Sequence, residues 1–205
     1  MAENTFDIRA REWDKNRVHF DRSEAIAKRI NAVIPDGRKM KALEFGAGTG
    51  ILSFLLKDKF SEITLMDSSQ EMINVCTEKI EEYNTPHIKA IKYDLEHSLY
   101  PETFDIIYSQ MVLHHVKDYK KILYTFSSML NDGGYIALAD LYPEDGSFHG
   151  EGVEVHKGFD PDELSQMLSE MGFKPILEAK VFELKRDNGI VYPVFLLVSV
   201  AGMKR

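Results

Sequence analysis

The sequence predicts an α/β fold: a doubly wound, mostly parallel seven-stranded sheet with helices on both faces and an antiparallel hairpin at its C-terminal end. Three observations predict it. Strand-like and helix-like patterns alternate along most of the 205 residues, as they do in chains that build a parallel sheet with crossover helices. A glycine-rich turn, Gly46 to Gly50, stands where the first apolar run gives way to a helical pattern. The last two apolar runs are separated only by the charged turn Lys185 to Gly189, so they pair as a hairpin.

Taken in order, Ser23 is expected to cap a helix whose Ile26, Ile30 and Val33 recur at helical spacing, and Pro35, Asp36 and Gly37 end it. A strand follows at Lys41 to Phe45. The helix after the glycine turn is expected to point Ile51, Phe54 and Leu55 inward, and the second strand is Glu62 to Asp67. Ser69 and Glu71 open the next helix, which runs through Glu82. Strands are expected at Ile88 to Tyr93 and at Phe104 to Tyr108, and Asp118 starts a helix carrying Ile122, Leu123 and Phe126. Asn131 to Gly134 turn the chain into a fifth strand, Tyr135 to Leu141. Pro161 sits in the first turn of a helix that stops at Gly172, and the closing strands are Lys174 to Leu184 and Tyr192 to Val200. Pro193 fits only near the beginning of its strand, where a missing N–H does no harm.

The bulk properties bound the function. A chain of 205 residues, 44% hydrophobic and 28% charged, has enough apolar material for one domain, residues 1–205, with residues 1–36 as an N-terminal cap and first helix. A formal charge of -8 without a basic run disfavours nucleic acid. The longest nearly apolar run, Val191 to Gly202, is shorter than the roughly 18 residues a membrane span needs. The charged N-terminal stretch lacks the apolar segment of a secretory signal, so the expected location is cytoplasmic. The single cysteine, Cys76, falls on one helical stripe with Met72, Ile73 and Ile80 and reads as a core residue.

The segment LEFGAGTG places Gly46, Gly48 and Gly50 at a strand-to-helix turn, where glycine permits tight turning and lets backbone N–H groups approach a ligand. Asp67 ends the second strand about 20 residues after Gly46, the offset at which an acid meets a ribose in Rossmann-type sites. These features suit a dinucleotide or an adenosine-containing cofactor. Ile51 stands where the dinucleotide fingerprint needs its third glycine, which weakens pyrophosphate binding, and the Gly-Lys-Ser/Thr of a phosphate loop is absent.

At these residues the chain resembles the class I (Rossmann-like) S-adenosylmethionine (SAM) dependent methyltransferases of the small-molecule type. Their first motif has the form acidic, x, Gly, x, Gly, x, Gly, and here it reads Glu44, Phe45, Gly46, Ala47, Gly48, Thr49, Gly50. The resemblance runs from about Trp13 to Leu197 and includes the closing hairpin. It implies that Gly46, Ala47, Gly48 and Thr49 line the methionine part of SAM with Glu44 nearby, and that Asp67, followed by Ser68, holds the ribose. It further implies that Asp94 and Leu95 meet adenine, with Met72 either beneath that ring or simply in the core. The cofactor implied is SAM, with S-adenosylhomocysteine as its product. A nicotinamide-dependent oxidoreductase and a noncatalytic SAM-binding module are the rival readings.

Ligands of open parallel sheets bind beyond the carboxyl ends of the strands, so Ser109 to His115 and the residues from Asp140 onward are expected to face the acceptor. VLHHV resembles the family's motif after its fourth strand, and the Asn/Asp-Pro-Pro-Tyr segment of enzymes that methylate base amino groups is missing at Ser109 to Val112. The loop 142–160, roughly twenty residues with several aromatic and titratable side chains, is either an active-site segment or a solvated loop. Trp13 is expected either to cover the cofactor or to pack on the sheet edge. Imidazole titrates near neutral pH, so His114 and His149 are the candidate catalytic bases. The histidines match no zinc spacing, and no metal is expected. The expected partner is a small-molecule methyl acceptor, with no nucleic acid and no membrane, for a monomer or homodimer.

Overall fold

A computed structural model describes residues 5–150 and 152–203; residues 1–4 of the expected N-terminal cap lie outside the described residues. The contacts gather into two compact units divided between Asp94 and Leu95.

The first unit opens with a short helix, α1 (Thr5–Arg9), and a 3-10 turn, Ala10–Lys15, neither legible in the sequence. Helix α2 spans Arg17–Val33, and its cap is Asn16, whose side chain accepts from the Val18 N–H. Ser23 is therefore not the cap expected: it lies buried inside the helix, with Oγ donating to the His19 carbonyl at 2.8 Å. A hydroxyl that can bond back to its own helix needs no terminus. Strands β1 (Lys41–Phe45), β2 (Glu62–Asp67) and β3 (Ile88–Lys92) follow in the order β3-β2-β1, parallel throughout, with Leu43 opposite Thr64 and Leu65 opposite Ala90. In β2 four successive residues, Ile63 to Met66, are buried. Successive strand residues point to opposite faces, so that run means both faces are covered.

Helix α3 is only five residues long, Ile51–Leu55, and it buries Leu52 and the following Leu56 instead of the expected Ile51, Phe54 and Leu55. Leu52 and Leu56 are an i, i+4 pair on one helical face, reached after the chain leaves the left-handed Gly50 (φ 77°). Helix α4 (Gln70–Glu82) is capped by Ser69, whose Oγ accepts from Met72 N, and buries Met72, Ile73 and Cys76 as expected. Burial pushes the Cys76 thiol well above its ordinary pKa, consistent with a core residue.

The second unit holds β4 (Phe104–Gln110), a 3-10 turn at Leu113–His115, α5 (Tyr119–Met129), β5 (Leu130–Leu141), α6 (Pro161–Glu170), β6 (Phe173–Lys185) and β7 (Val191–Ala201). Its strand order is β4-β5-β7-β6. β4 and β5 are parallel, while β7 is antiparallel to both β5 and β6. The closing hairpin is thus as expected, turned by Gly189 at φ 79° with Arg186 N donating to the Ile190 carbonyl. β5 starts five residues earlier than its sequence pattern suggests, because Leu130 already pairs with Phe104; Asn131 to Gly134, with Gly133 left-handed at φ 70°, bulge out before Tyr135 pairs with Ile106. With Phe126, Ile136, Leu168, Phe195 and Leu197 all buried, this unit packs a core of its own. Among the described residues no helix is long and apolar enough to cross a membrane.

Candidate active site

In the first unit the glycine turn is built mostly from backbone. Gly46 (φ 65°) and Gly48 (φ 55°) both lie in the left-handed region, which a Cβ disfavours. The Gly48 N–H donates to Asp67 Oδ2 at 2.7 Å, and the Ser69 N–H donates to Asp67 Oδ1 at 2.8 Å, so the acid at the end of β2 and the turn after β1 are one assembly. Burial raises the Asp67 pKa, partly offset by those backbone donors. A Cβ placed on Gly48 would meet nothing nearer than Met72 Sδ at 4.0 Å, so that side of the turn is open space with the buried Met72 thioether at its border.

The N-terminal segment closes onto this turn through carboxylates. Asp14 accepts from Thr49 Oγ1 at 2.5 Å and pairs with Lys79, whose Nζ also donates to the Thr49 carbonyl at 2.8 Å. Asp7 Oδ1 accepts from Ser69 Oγ at 2.5 Å. Trp13 stacks on His19, with ring centroids 4.3 Å apart, and its carbonyl meets His19 Nδ1 at 3.0 Å. Glu44 is fully buried, and its Oε2 accepts from both Ser53 Oγ (2.5 Å) and Ser53 N (3.2 Å), tying β1 to α3.

In the second unit the notable feature is a cluster of imidazoles. His114 Nδ1 lies 2.6 Å from Asp140 Oδ1, both side chains are 1% exposed, and the His114 N–H donates to the other oxygen of Asp140 at 3.2 Å. A carboxylate on Nδ1 assigns the proton there and leaves Nε2 as a lone pair. His114 Nε2 is buried and has no hydrogen-bond partner among the described residues, and the same holds for His149 Nε2. The ring centroids of His114 and His149 are 5.0 Å apart, and those of His115 and His149 4.8 Å. Burial, reinforced by the neighbouring His114 imidazole, pushes His115 down to about 3 and His149 down to about 4, so both are neutral at pH 7.

The loop that delivers His149 is held at many points. Glu144 Oε2 accepts from Gly146 N (2.7 Å) and Phe148 N (3.1 Å), Ser147 Oγ meets Tyr192 OH at 2.6 Å, and His156 N donates to the His114 carbonyl at 2.8 Å. Phe148 is buried with its ring against His149 and Tyr192, and Arg186 lies 4.9 Å over its face. At Gly158 (φ 73°) a Cβ would stand 2.1 Å from the Tyr142 carbonyl oxygen, so only glycine fits.

Over residues 18–178 the sequence matches the model of the methyltransferase domain family. The chain belongs to that family. It is 31% identical over 142 residues to an uncharacterized methyltransferase of Schizosaccharomyces pombe, covering 61% of this chain and 50% of the other. It is also 31% identical over 160 residues to malonyl-[acyl-carrier protein] O-methyltransferase 2 of Ilyobacter polytropus, covering 76% and 60%. The chain therefore spans about half of the first of these curated relatives. Among solved structures, the N-methyltransferase NodS from Bradyrhizobium japonicum WM9, in complex with S-adenosylhomocysteine, has the same fold at TM-score 0.68 and 16% identity, over 98% of this chain and 89% of that one. The fold is thus that of the Rossmann-like SAM methyltransferases, and the recognition made from LEFGAGTG stands.

Of the residues anticipated for a SAM cofactor, the first unit brings together Gly48, Thr49, Asp67 and Met72 around one turn, with Gly46 and Ala47 within it. Ser68 is exposed beside Asp67, and Asp94 is half-buried just past β3. Leu95 and Ser109 belong to the second unit; both are buried, and Ser109 Oγ has no hydrogen-bond partner among the described residues. The open face of Gly48, the buried thioether and the strand-end carboxylate suit an adenosyl sulfonium: space for its amino acid tail, a soft apolar surface and an acceptor for hydroxyls. Sequence reasoning missed Asp7, Asp14 and Lys79, which hold the N-terminal segment on the turn. They sit among many charged residues, and no local spacing sets them apart.

Proposed function

We propose that the chain catalyses SAM-dependent methylation of a small molecule, acting in the cytoplasm as a monomer or homodimer. The observation that carries the proposal is the joining of Asp67 to the glycine turn through the Gly48 N–H. SAM, when bound, supplies a methyl group already activated by its sulfonium. Gly46, Ala47, Gly48 and Thr49 give its amino acid tail room, with Glu44 holding the turn's helix in place through Ser53. Asp67, with Ser68 beside it, accepts from the ribose hydroxyls, while Met72 and Asp94 border the adenine.

A displacement on an activated methyl needs mainly alignment and exclusion of water, plus a base where the acceptor must lose a proton. Asp140 holds His114 with the proton on Nδ1, so Nε2 receives the acceptor's proton and Asp140 stabilises the imidazolium that forms. His149, neutral beside it, offers a second lone-pair nitrogen, which burial makes a weak base. The formal charge of -8 supports a small acceptor over nucleic acid. The test is incubation of the purified chain with methyl-labelled SAM and a metabolite extract, followed by identification of the labelled product. A labelled small molecule, lost in His114→Ala, is the expected result; label found only in nucleic acid, or nowhere, defeats the proposal.

A further inference from the structure

The cluster in the second unit has more unsatisfied imidazole nitrogen than a proton acceptor requires. We propose that His114, His115 and His149 together form a binding site for a divalent transition-metal ion of the zinc class, with Asp140 as the carboxylate that orients His114. The binding claim is independent of the methyl-transfer reading; only the ion's role toward the acceptor rests on it.

Each of the three imidazoles offers one ring nitrogen, and these nitrogens all lie within 4.8 Å of one another. Two of them, Nε2 of His114 and Nε2 of His149, are buried without a hydrogen-bond partner among the described residues. Buried polar atoms are normally satisfied, so two unsatisfied nitrogens in one cluster of rings call for a shared ligand. The short contact from Asp140 to His114 Nδ1, at 2.6 Å, is the arrangement seen behind metal-bound histidines: the carboxylate fixes the tautomer and aims the other nitrogen.

The backbone supports the same geometry. His114 and His115 stand on one 3-10 turn, and the His115 N–H donates to the Val112 carbonyl at 2.8 Å. His149 comes from the loop pinned by Glu144, Ser147 and Gly158. Zinc–nitrogen bonds of about 2.0–2.1 Å in tetrahedral geometry place the nitrogens roughly 3.4 Å apart, so the widest pair draws in by about 1.4 Å. Gly150 follows His149 at φ 83° with open space around it, which gives the loop freedom for that adjustment.

Donor chemistry selects the ion. Three imidazoles suit zinc, copper or nickel, whereas magnesium and calcium prefer oxygen. Three protein ligands leave a fourth position open, the pattern of reactive zinc sites. If the acceptor is a hydroxyl, an ion in that place would lower the pKa of the bound oxygen so that its proton leaves to solvent, and Nε2 of His114 would then be a ligand instead of the proton acceptor. The spacing of 114, 115 and 149 matches no linear motif, which is why the sequence led to the opposite expectation.

The experiment is equilibrium dialysis and calorimetry of the tag-free full chain, stripped with a chelator and titrated with zinc chloride in the absence of SAM. Cobalt(II) serves as a spectroscopic substitute. The expected result is one zinc per chain, a rise in Tm with zinc, and the visible absorption of four-coordinate cobalt. Asp140→Asn should weaken zinc about 10–100-fold, and His149→Ala and His115→Ala each at least as much, while His97→Ala leaves it unchanged. Circular dichroism of each variant verifies folding, and the cobalt spectrum of the unaltered chain stands even if a variant fails to fold. Absence of stoichiometric binding by the unaltered chain, or equal affinity in a folded His149→Ala, overturns the proposal. Because no methyl acceptor or SAM enters the titration, a negative result leaves the methyl-transfer reading intact, and a failed labelling experiment leaves zinc binding intact.

Discussion

The glycine turn and the histidine cluster solve the same problem, holding polar groups at defined points, by opposite means. The turn of the first unit is made of backbone: left-handed Gly46 and Gly48, and N–H groups of Gly48 and Ser69 on one carboxylate. The cluster of the second unit is made of side chains: three imidazoles, Asp140 and the ring of Phe148, delivered by a 3-10 turn, a strand end and a long loop. A backbone site depends on a few conformationally special residues and is written in a short motif. A side-chain site depends on where distant elements are pinned, and each pin is a separate point of failure.

Five perturbations break or sharpen this contrast. The largest effect is expected from Asp67→Ala, which removes the proposed acceptor for both ribose hydroxyls. Charge-assisted hydrogen bonds contribute about 1.5–3 kcal/mol each, so SAM affinity by calorimetry should fall about 10³-fold with the circular dichroism of the fold retained. Unchanged affinity removes Asp67 from the cofactor site.

Next is Gly158→Ala, which forces a Cβ against the Tyr142 carbonyl at a positive φ. A loss of about 3 kcal/mol is expected, seen as a Tm lower by roughly 6–12 °C. Methyl transfer should suffer more than SAM affinity, because the strain falls on the loop carrying His149. A variant as stable as the parent means the loop is not pinned there.

Asp140→Asn leaves the geometry of the cluster but no longer holds the His114 proton on Nδ1. Turnover is expected to drop on the order of 10²-fold, with SAM affinity unaltered. If both fall together, the two regions do not act separately.

Gly48→Ala sharpens the comparison from the other side. The added methyl meets only Met72 Sδ at 4.0 Å, so the cost to the fold is the left-handed conformation alone, about 1–2 kcal/mol. SAM affinity should fall while the histidine cluster's zinc binding does not change.

The smallest effect concerns pH. Only an ionised Asp67 can accept two hydroxyls at full strength, and burial raises its pKa. SAM affinity should therefore hold above that raised value and decline below it, beginning at a higher pH than an ordinary carboxylate would give. Asp67→Asn should abolish the dependence, and a persisting decline would assign it elsewhere.

The legibility of the chain follows the same division. The strands and most helices were readable because their apolar periodicity is local, and Gly46 to Gly50 with Asp67 was readable because adjacent parallel strands put their ends side by side at a fixed chain distance. Errors arose where a residue's own hydrogen bonding or a strand's pairing, and not its apolar period, set the local choice. Ser23 looked like a cap but bonds back inside α2, and α3 buries Leu52 and Leu56 where the pattern had offered Ile51, Phe54 and Leu55. The early start of β5 depends on a register shift that no residue in it announces. His114, His115, His149 and Asp140 were all placed in the segments expected to face the acceptor, yet their spacing did not indicate which of them would touch.

By itself, then, the sequence determined the α/β class, the closing hairpin and the family to which the turn belongs, since hydrophobic period and glycine conformation are properties of short segments. Only the tertiary structure decided what surrounds each functional group: the carboxylate behind His114, the companions of His149, and the hold of Asp7 and Asp14 on the glycine turn. Those contacts join residues far apart in the chain, and their energies depend on burial and distance, which exist only after packing.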